Sequence, residues 1–306
     1  LCDRRQRQMC IRDRGGIGAN ITNSNITNCS VSGINIESDK EINKMYIGGI
    51  IGKGSENILE NNYVQNMKIK ITNVDELKLG GIIGEETTNI SIIKNCYAIG
   101  NINIEKGNVG GIAGESGARI ENTFSMVDIN SMSDNAGGIV GYDKTNKENM
   151  SLVSNNFVIG NVYSSKESEQ VGRIVGKSIK DNFNNYVYEY QKLDGEYPKK
   201  LKEVIRKKEL KEKNIYVEKL NWKDAYNYDE YEIGRLPKII NTLTNEILPN
   251  QNTYYLKSEE KFVISNIETA KINSNTVQCR LDIVNPKQYE IVDVTVSYTH
   301  LTLPTI

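Results

Sequence analysis

Val109-Gly110-Gly111-Ile112-Ala113-Gly114, followed shortly by Ile120-Glu121-Asn122-Thr123-Phe124, decides the fold, because the chain writes this phrase six times. The other openings are Gly15-Gly16-Ile17, Ile47-Gly48-Gly49-Ile50-Ile51-Gly52, Leu79-Gly80-Gly81-Ile82-Ile83-Gly84, Ala136-Gly137-Gly138-Ile139-Val140-Gly141 and Val171-Gly172-Arg173-Ile174-Val175-Gly176. Their first glycines are spaced by 33, 32, 30, 27 and 35 residues. Self-similarity at a period of roughly 20–50 residues marks a solenoid or another repeat array.

Each unit parses as three short strands. The first is the Gly-Gly-Ile-x-Gly element, whose glycines allow tight corners and close backbone approach. The second centres on asparagine: Asn28-Cys29-Ser30, Asn61-Asn62-Tyr63, Asn95-Cys96-Tyr97, Asn122-Thr123-Phe124, Asn155-Asn156-Phe157 and Asn184-Asn185-Tyr186. The third alternates isoleucine with polar residues, as in Ile99-Gly100-Asn101-Ile102-Asn103-Ile104, which suits a strand with one buried face. No such unit buries its own apolar face, so each depends on its neighbours. The expected fold is all-β: a parallel β-helix-like solenoid of about six repeats over residues 15–190. A β-propeller-like or sandwich arrangement of the same strands is the alternative. In the solenoid the leading asparagines form an amide ladder, with the aromatics stacked alongside.

The two ends read differently. Residues 4–14 and 296–305 match the two strands of one transposase-type sequencing adapter, translated, so 1–14 and 296–306 are set aside as artefact. The excision removes His300, the only histidine, together with Cys2 and Cys10. Five arginines and two aspartates also leave, so 33 basic residues face 37 acidic ones and the balance is −4. That is no nucleic-acid footprint. No apolar run approaches the ~20 residues of a membrane span.

The Gly-Gly-Ile-x-Gly phrase, with Asn95-Cys96-Tyr97-Ala98-Ile99-Gly100 after it, resembles the GLUG repeat. Such repeats occur in bacterial surface proteins, notably in the N-terminal region of immunoglobulin-A-specific zinc metallopeptidases. The resemblance covers six units, and Arg173 in place of the second glycine marks the last as terminal or degenerate. A peptidase of that group carries a His-Glu-x-x-His zinc site, and nothing between residues 15 and 295 supplies one.

Beyond the repeats, Leu201, Val204, Ile205 and Leu210 give an imperfect apolar stripe on a charged helix within Pro198–Lys213. With Leu220-Asn221-Trp222 and Gly234-Arg235-Leu236-Pro237, it is expected to form a capping segment over residues 191–250 that covers the exposed last coil. Glu203, Glu209 and Glu212 interleave with the lysines, so a helix packed on the solenoid is the reading rather than a membrane-binding one. Residues 251–295 look like the opening strands of a β-sandwich module, with a turn at Asn285-Pro286-Lys287.

Several motifs mimic chemistry. Gly172 to Ser178 resembles a phosphate loop but has three residues between glycines where four are needed, and it lies in the repeat register; Gly49 to Gly54 fails in the same way. Cys29 and Cys96 occupy equivalent rungs two coils apart, nearly ~10 Å, too far for a disulfide; both read as buried free thiols. Asp143, Asn146 and Glu148, and likewise Asp229, Glu230 and Glu232, lack calcium-loop spacing and read as solvated loop charges. Trp222, Tyr226, Tyr228 and Tyr231 read as cap core rather than a carbohydrate contact.

No catalytic, cofactor-binding or metal residue is therefore expected in this segment. The expected role is a non-catalytic spacer or substrate-docking region of a secreted or cell-wall-attached zinc endopeptidase. The expected partner is a host glycoprotein or cell-wall polymer. The alternative is the repeat region of a surface adhesin with no protease attached.

Overall fold

The computed structural model describes residues 12–254, apart from 133–134, 145–152, 165–169, 179–183, 199–200, 212, 223–225, 228–235, 242–243 and 245, together with residues 263–273 and 276–284. The repeats form a parallel β-solenoid. Its third coil runs through Val74–Gly80, Ile83–Glu86, Ile92–Lys94 and Tyr97–Ile104, one strand in each of four sheets. Six strands are described in each of the first two sheets and five in the third, all paired parallel. The first glycines stack in register, Gly48 on Gly80 on Gly110 on Gly137 on Gly172.

Four strands per coil replace the expected three. Gly-Gly-Ile is a corner, not a strand: one strand ends at Gly80 and the next begins at Ile83. Isoleucine, leucine and valine from all four sheets fill the interior, among them Ile47, Ile83, Ile93 and Ile102. The first rung begins before residue 15, with Arg12–Gly15 paired to Met45–Gly48. Ladder bonds run through the backbone, so an open parallel edge accepts almost any side-chain sequence.

The asparagine triplets divide two tasks. The leading residues Asn28, Asn61, Asn95, Asn122, Asn155 and Asn184 all adopt φ between 53° and 57°. They turn the chain from the third sheet into the fourth in the left-handed region that asparagine tolerates. Their amides pair across rungs at both ends of the column, Asn61 Nδ2 to Asn28 Oδ1 at 3.4 Å and Asn184 Nδ2 to Asn155 Oδ1 at 2.5 Å. The second residue does most of the linking. Asn62 accepts from the Cys29 N–H and donates to the Ile26 carbonyl. Asn156 accepts from the Thr123 N–H and hydroxyl, and its own N–H and Nδ2 donate to Asn185 Oδ1. These side chains are buried, so each amide must find its partners in the adjacent coil.

The third triplet residue forms the expected aromatic column. Tyr63 stacks on Tyr97 at 5.1 Å and Tyr97 on Phe124 at 4.6 Å. These rings build a second core, separate from the aliphatic interior. The segment after the last coil covers it. Val204–Ile205 first adds a short strand beside Tyr186–Tyr188. The chain then turns back as a strap: Trp222 Nε1 donates to the Asn155 carbonyl at 2.7 Å and the Tyr226 hydroxyl to the Asn122 carbonyl at 2.8 Å. Further on, the Tyr63 hydroxyl donates to the Pro249 carbonyl, and Gln65 Nε2 to the Asn250 carbonyl at 2.8 Å.

The expected amphipathic helix is therefore corrected. Leu201 is 47% exposed, Ile205 is buried in a strand, and Leu210 in a 3-10 turn, Glu209–Lys211. A π-helical turn, Ile215–Lys219, follows. Apolar spacings of 3, 1 and 5 make no continuous helical stripe, and pairing at an open sheet edge satisfies the backbone instead. Beyond the last coil, the segment runs along the flank back to the second coil.

Residues 257–306 form a separate unit, in which Val263–Asn273 and Thr276–Val284 pair as an antiparallel hairpin. The turn expected at Asn285-Pro286-Lys287 lies outside the described residues.

Candidate functional site

The strap covers the first half of the fourth sheet and leaves the second half open. Here strands alternate, with Ile69, Ile102 and Ile129 buried while their neighbours face out. The outward residues align in two columns. One is Asn35, Lys68, Asn101, Asp128 and Asn161; the other is Glu37, Lys70, Asn103, Asn130 and Tyr163. Successive members lie one strand spacing apart, ~4.8 Å. Between the columns runs a groove of about 470 Å³.

Polar side chains nearly balanced in charge edge the groove, over a mainly apolar floor that includes Ile69, Ile102 and Ile129. Lys70 pairs with Glu37 at 2.9 Å. Asp128 Oδ1 accepts the Asn161 N–H at 2.8 Å, and Asn161 Oδ1 accepts the Lys192 N–H at 2.7 Å, which closes one end. Asn101, Asn103 and Asn130 remain exposed, and each amide offers both donors and an acceptor. Tyr163, 50% exposed, adds a flat ring at the closed end. Regularly spaced amides beside an aromatic ring suit an extended hydroxyl- or amide-bearing polymer. The isoleucine alternation signalled a half-buried strand, but the register that aligns the polar partners comes from the coil-to-coil stacking.

The motifs that imitate chemistry fall elsewhere. Gly172 to Ser178 holds the corner between Val171–Gly172 and Val175–Lys177, and Lys177 lies over the Tyr142 ring. Cys96 is a buried free thiol that burial pushes up to about 12, which makes it inert. Cys29 is only half-buried, a departure from the expected reading; it stands in the first described coil, next to the outermost described strand of its sheet. Asp143 is buried and accepts the Ser178 hydroxyl at 3.1 Å, so it is not a solvated loop charge. Asn146, Glu148, Tyr228, Asp229, Glu230, Tyr231 and Glu232 lie outside the described residues. Trp222 and Tyr226 sit in the second core.

The class of protein so defined is a strapped parallel β-solenoid. No family model, curated protein or solved structure matches this chain.

Proposed function

We propose that this chain is a non-catalytic repeat module of a bacterial surface protein, secreted or wall-attached, that spaces and docks. The docking surface is the open half of the fourth sheet, and its target is a host glycoprotein or cell-wall polymer. The parent protein on this reading is a zinc endopeptidase of the kind whose N-terminal GLUG repeats these coils resemble. The observation that carries it is the pair of outward columns, held at fixed spacing by the solenoid and left open by the strap.

Biolayer interferometry against immobilised immunoglobulin A and against purified cell-wall polysaccharide tests it. Saturable binding to one of them is expected, weakened at least about tenfold by the combined change Asn101→Ala, Asn103→Ala and Tyr163→Ala, the loss of more than 1.4 kcal/mol of contacts. Absence of binding to both, or binding that the triple variant leaves intact, removes the docking reading.

A further inference from the structure

A polar column also flanks the corner between the first and second sheets. Tyr46, Lys78, Asn108 and Asn135 stack in register on the first sheet, opposite Lys53, Glu85, Glu115 and Tyr142 on the second. One pair of rungs in this column sets Lys78 beside Asn108 with the Glu115 carboxylate facing both. Lys78 Nζ lies 3.0 Å from Glu115 Oε2, and Asn108 Nδ2 donates to that same oxygen at 2.6 Å. A carboxylate only accepts, so the amide nitrogen of Asn108 must face it and the carbonyl oxygen must face away. That oxygen accepts from Asn135 Nδ2 at 2.7 Å. The side chains of Lys78 and Glu115 are 10% and 4% exposed.

We propose that Lys78 and Asn108 become joined by an intramolecular isopeptide bond, with Glu115 as proton carrier and Asn135 holding the carbonyl oxygen. The arrangement supplies a nucleophile, a base in contact with both nucleophile and leaving group, and a polarised carbonyl. The Lys78 ammonium passes a proton to Glu115 Oε2. Its freed electron pair attacks Asn108 Cγ, the carbonyl pair moves onto Oδ1, and the Asn135 amide stabilises it. Glu115 then moves a proton from the new C–N nitrogen to Nδ2 in exchange for its own. The oxygen pair returns, the Cγ–Nδ2 bond breaks, and ammonia leaves with the remaining proton as ammonium. A primary amide and an alkylammonium thus become a secondary amide and ammonium, with no redox partner or cofactor.

The surrounding charges set the pace. Glu85 at 2.7 Å and Glu76 at 3.4 Å hold Lys78 as an ammonium, with Lys144 bridging Glu85 and Glu115 and the Tyr46 ring 5.4 Å away. Bond formation is therefore slow and speeds up as pH rises. It ties the third coil covalently to the fourth.

Intact-mass and peptide mass spectrometry of the purified chain, incubated at neutral and at alkaline pH, tests the proposal. Loss of one ammonia, about 17 Da, is expected, with a branched peptide joining the Lys78 and Asn108 segments and increasing at alkaline pH. The branched peptide separates this product from a succinimide of the same mass. Lys78→Arg abolishes it, and Glu115→Gln slows it about a hundredfold. Unbranched Lys78 and Asn108 peptides alone, after prolonged alkaline incubation of the unmutated chain, overturn the proposal whatever the variants do.

Discussion

Each of the three glycines in the repeated phrase answers to a different neighbour. A Cβ on the first glycine strikes its own coil: at Gly48 the Ile51 carbonyl oxygen would lie 1.9 Å away, and at Gly172 the Val175 oxygen 2.0 Å. All six rungs keep that glycine. A Cβ on the second strikes the following coil, Gly111 O at 2.2 Å from Gly81 and Arg173 O at 2.2 Å from Gly138. Rungs one to five keep it, and in the sixth Arg173 takes its place, using the space to bond the Gln191 and Glu196 carbonyls at 3.0 and 2.6 Å. A Cβ on the third strikes the preceding coil, Gly52 O at 2.4 Å from Gly84 and Leu79 N at 2.4 Å from Gly114. In the first rung that register position is Ala19, paired with Gly52 through its neighbours Gly18–Ile51 and Asn20–Lys53. Backbone atoms cannot give way as side-chain tips can, so Gly81→Ala should cost about 2–4 kcal/mol in urea unfolding. Ala19→Gly should cost less than about 1 kcal/mol. Equal effects at the two positions would remove this account of the motif.

A second residue-scale consequence concerns pH. Burial alone would raise the Glu85 carboxyl, but hydrogen bonds from Lys78 and Lys144 outweigh it and bring it down from 4.5 to about 2. Its stabilisation is present above pH 4.5 and is lost as pH falls through about 2. A depression of that size corresponds to roughly 3 kcal/mol. Glu85→Gln should lower stability at pH 7 by up to that amount and flatten the loss below pH 4.5, as read from unfolding midpoints across the range. An unchanged acid profile would mean that the ion column contributes nothing there.

At the scale of elements, local repetition was legible in the sequence and long-range return was not. Five glycine pairs, a sixth opening at Gly172-Arg173 and alternating isoleucines such as Ile102 and Ile104 announce stacked strands, because every coil repeats one environment. The leading asparagines also announced themselves, but as a ladder rather than as left-handed turns, since spacing does not carry φ. The polar columns of the open groove follow from register that only stacking fixes. The strap was missed for another reason. Trp222 and Tyr226 stand outside any period, and their partners are the carbonyls of Asn155 and Asn122, whose backbone oxygens leave no trace in side-chain identity. Trp222 is buried and lies 4.7 Å from the Tyr226 ring and 6.0 Å from Phe124. Trp222→Ala should therefore cost about 3–5 kcal/mol, measurable in urea with tyrosine fluorescence. A cost under about 1 kcal/mol would show the strap to be loosely held.

At the scale of the whole molecule, a bare solenoid and a strapped one should unfold differently. Coils that touch only their neighbours behave as a one-dimensional array, in which terminal rungs fray before central ones. The strap breaks that locality: through Asn184, Trp222, Tyr226 and Gln65 it touches the sixth, fifth, fourth and second coils in turn. The third joins through the Tyr97 hydroxyl, which donates to Gln251 Oε1 at 3.1 Å. Opening any one coil on this flank must then disturb the contacts of others. Amide exchange in Tyr63–Ile71, Tyr97–Ile104 and Phe124–Ser131 should accordingly slow to one shared rate, as a single cooperative unit does. In the Trp222→Ala chain those three strands should separate, with exchange fastest toward the ends of the array. Three distinct rates in the unmutated chain would mean that each coil opens independently and that the strap merely lies on the flank. The same coupling bears on docking, because the open half of the fourth sheet belongs to these very strands, so a ligand spanning Lys68 to Asn161 should slow exchange in all three together.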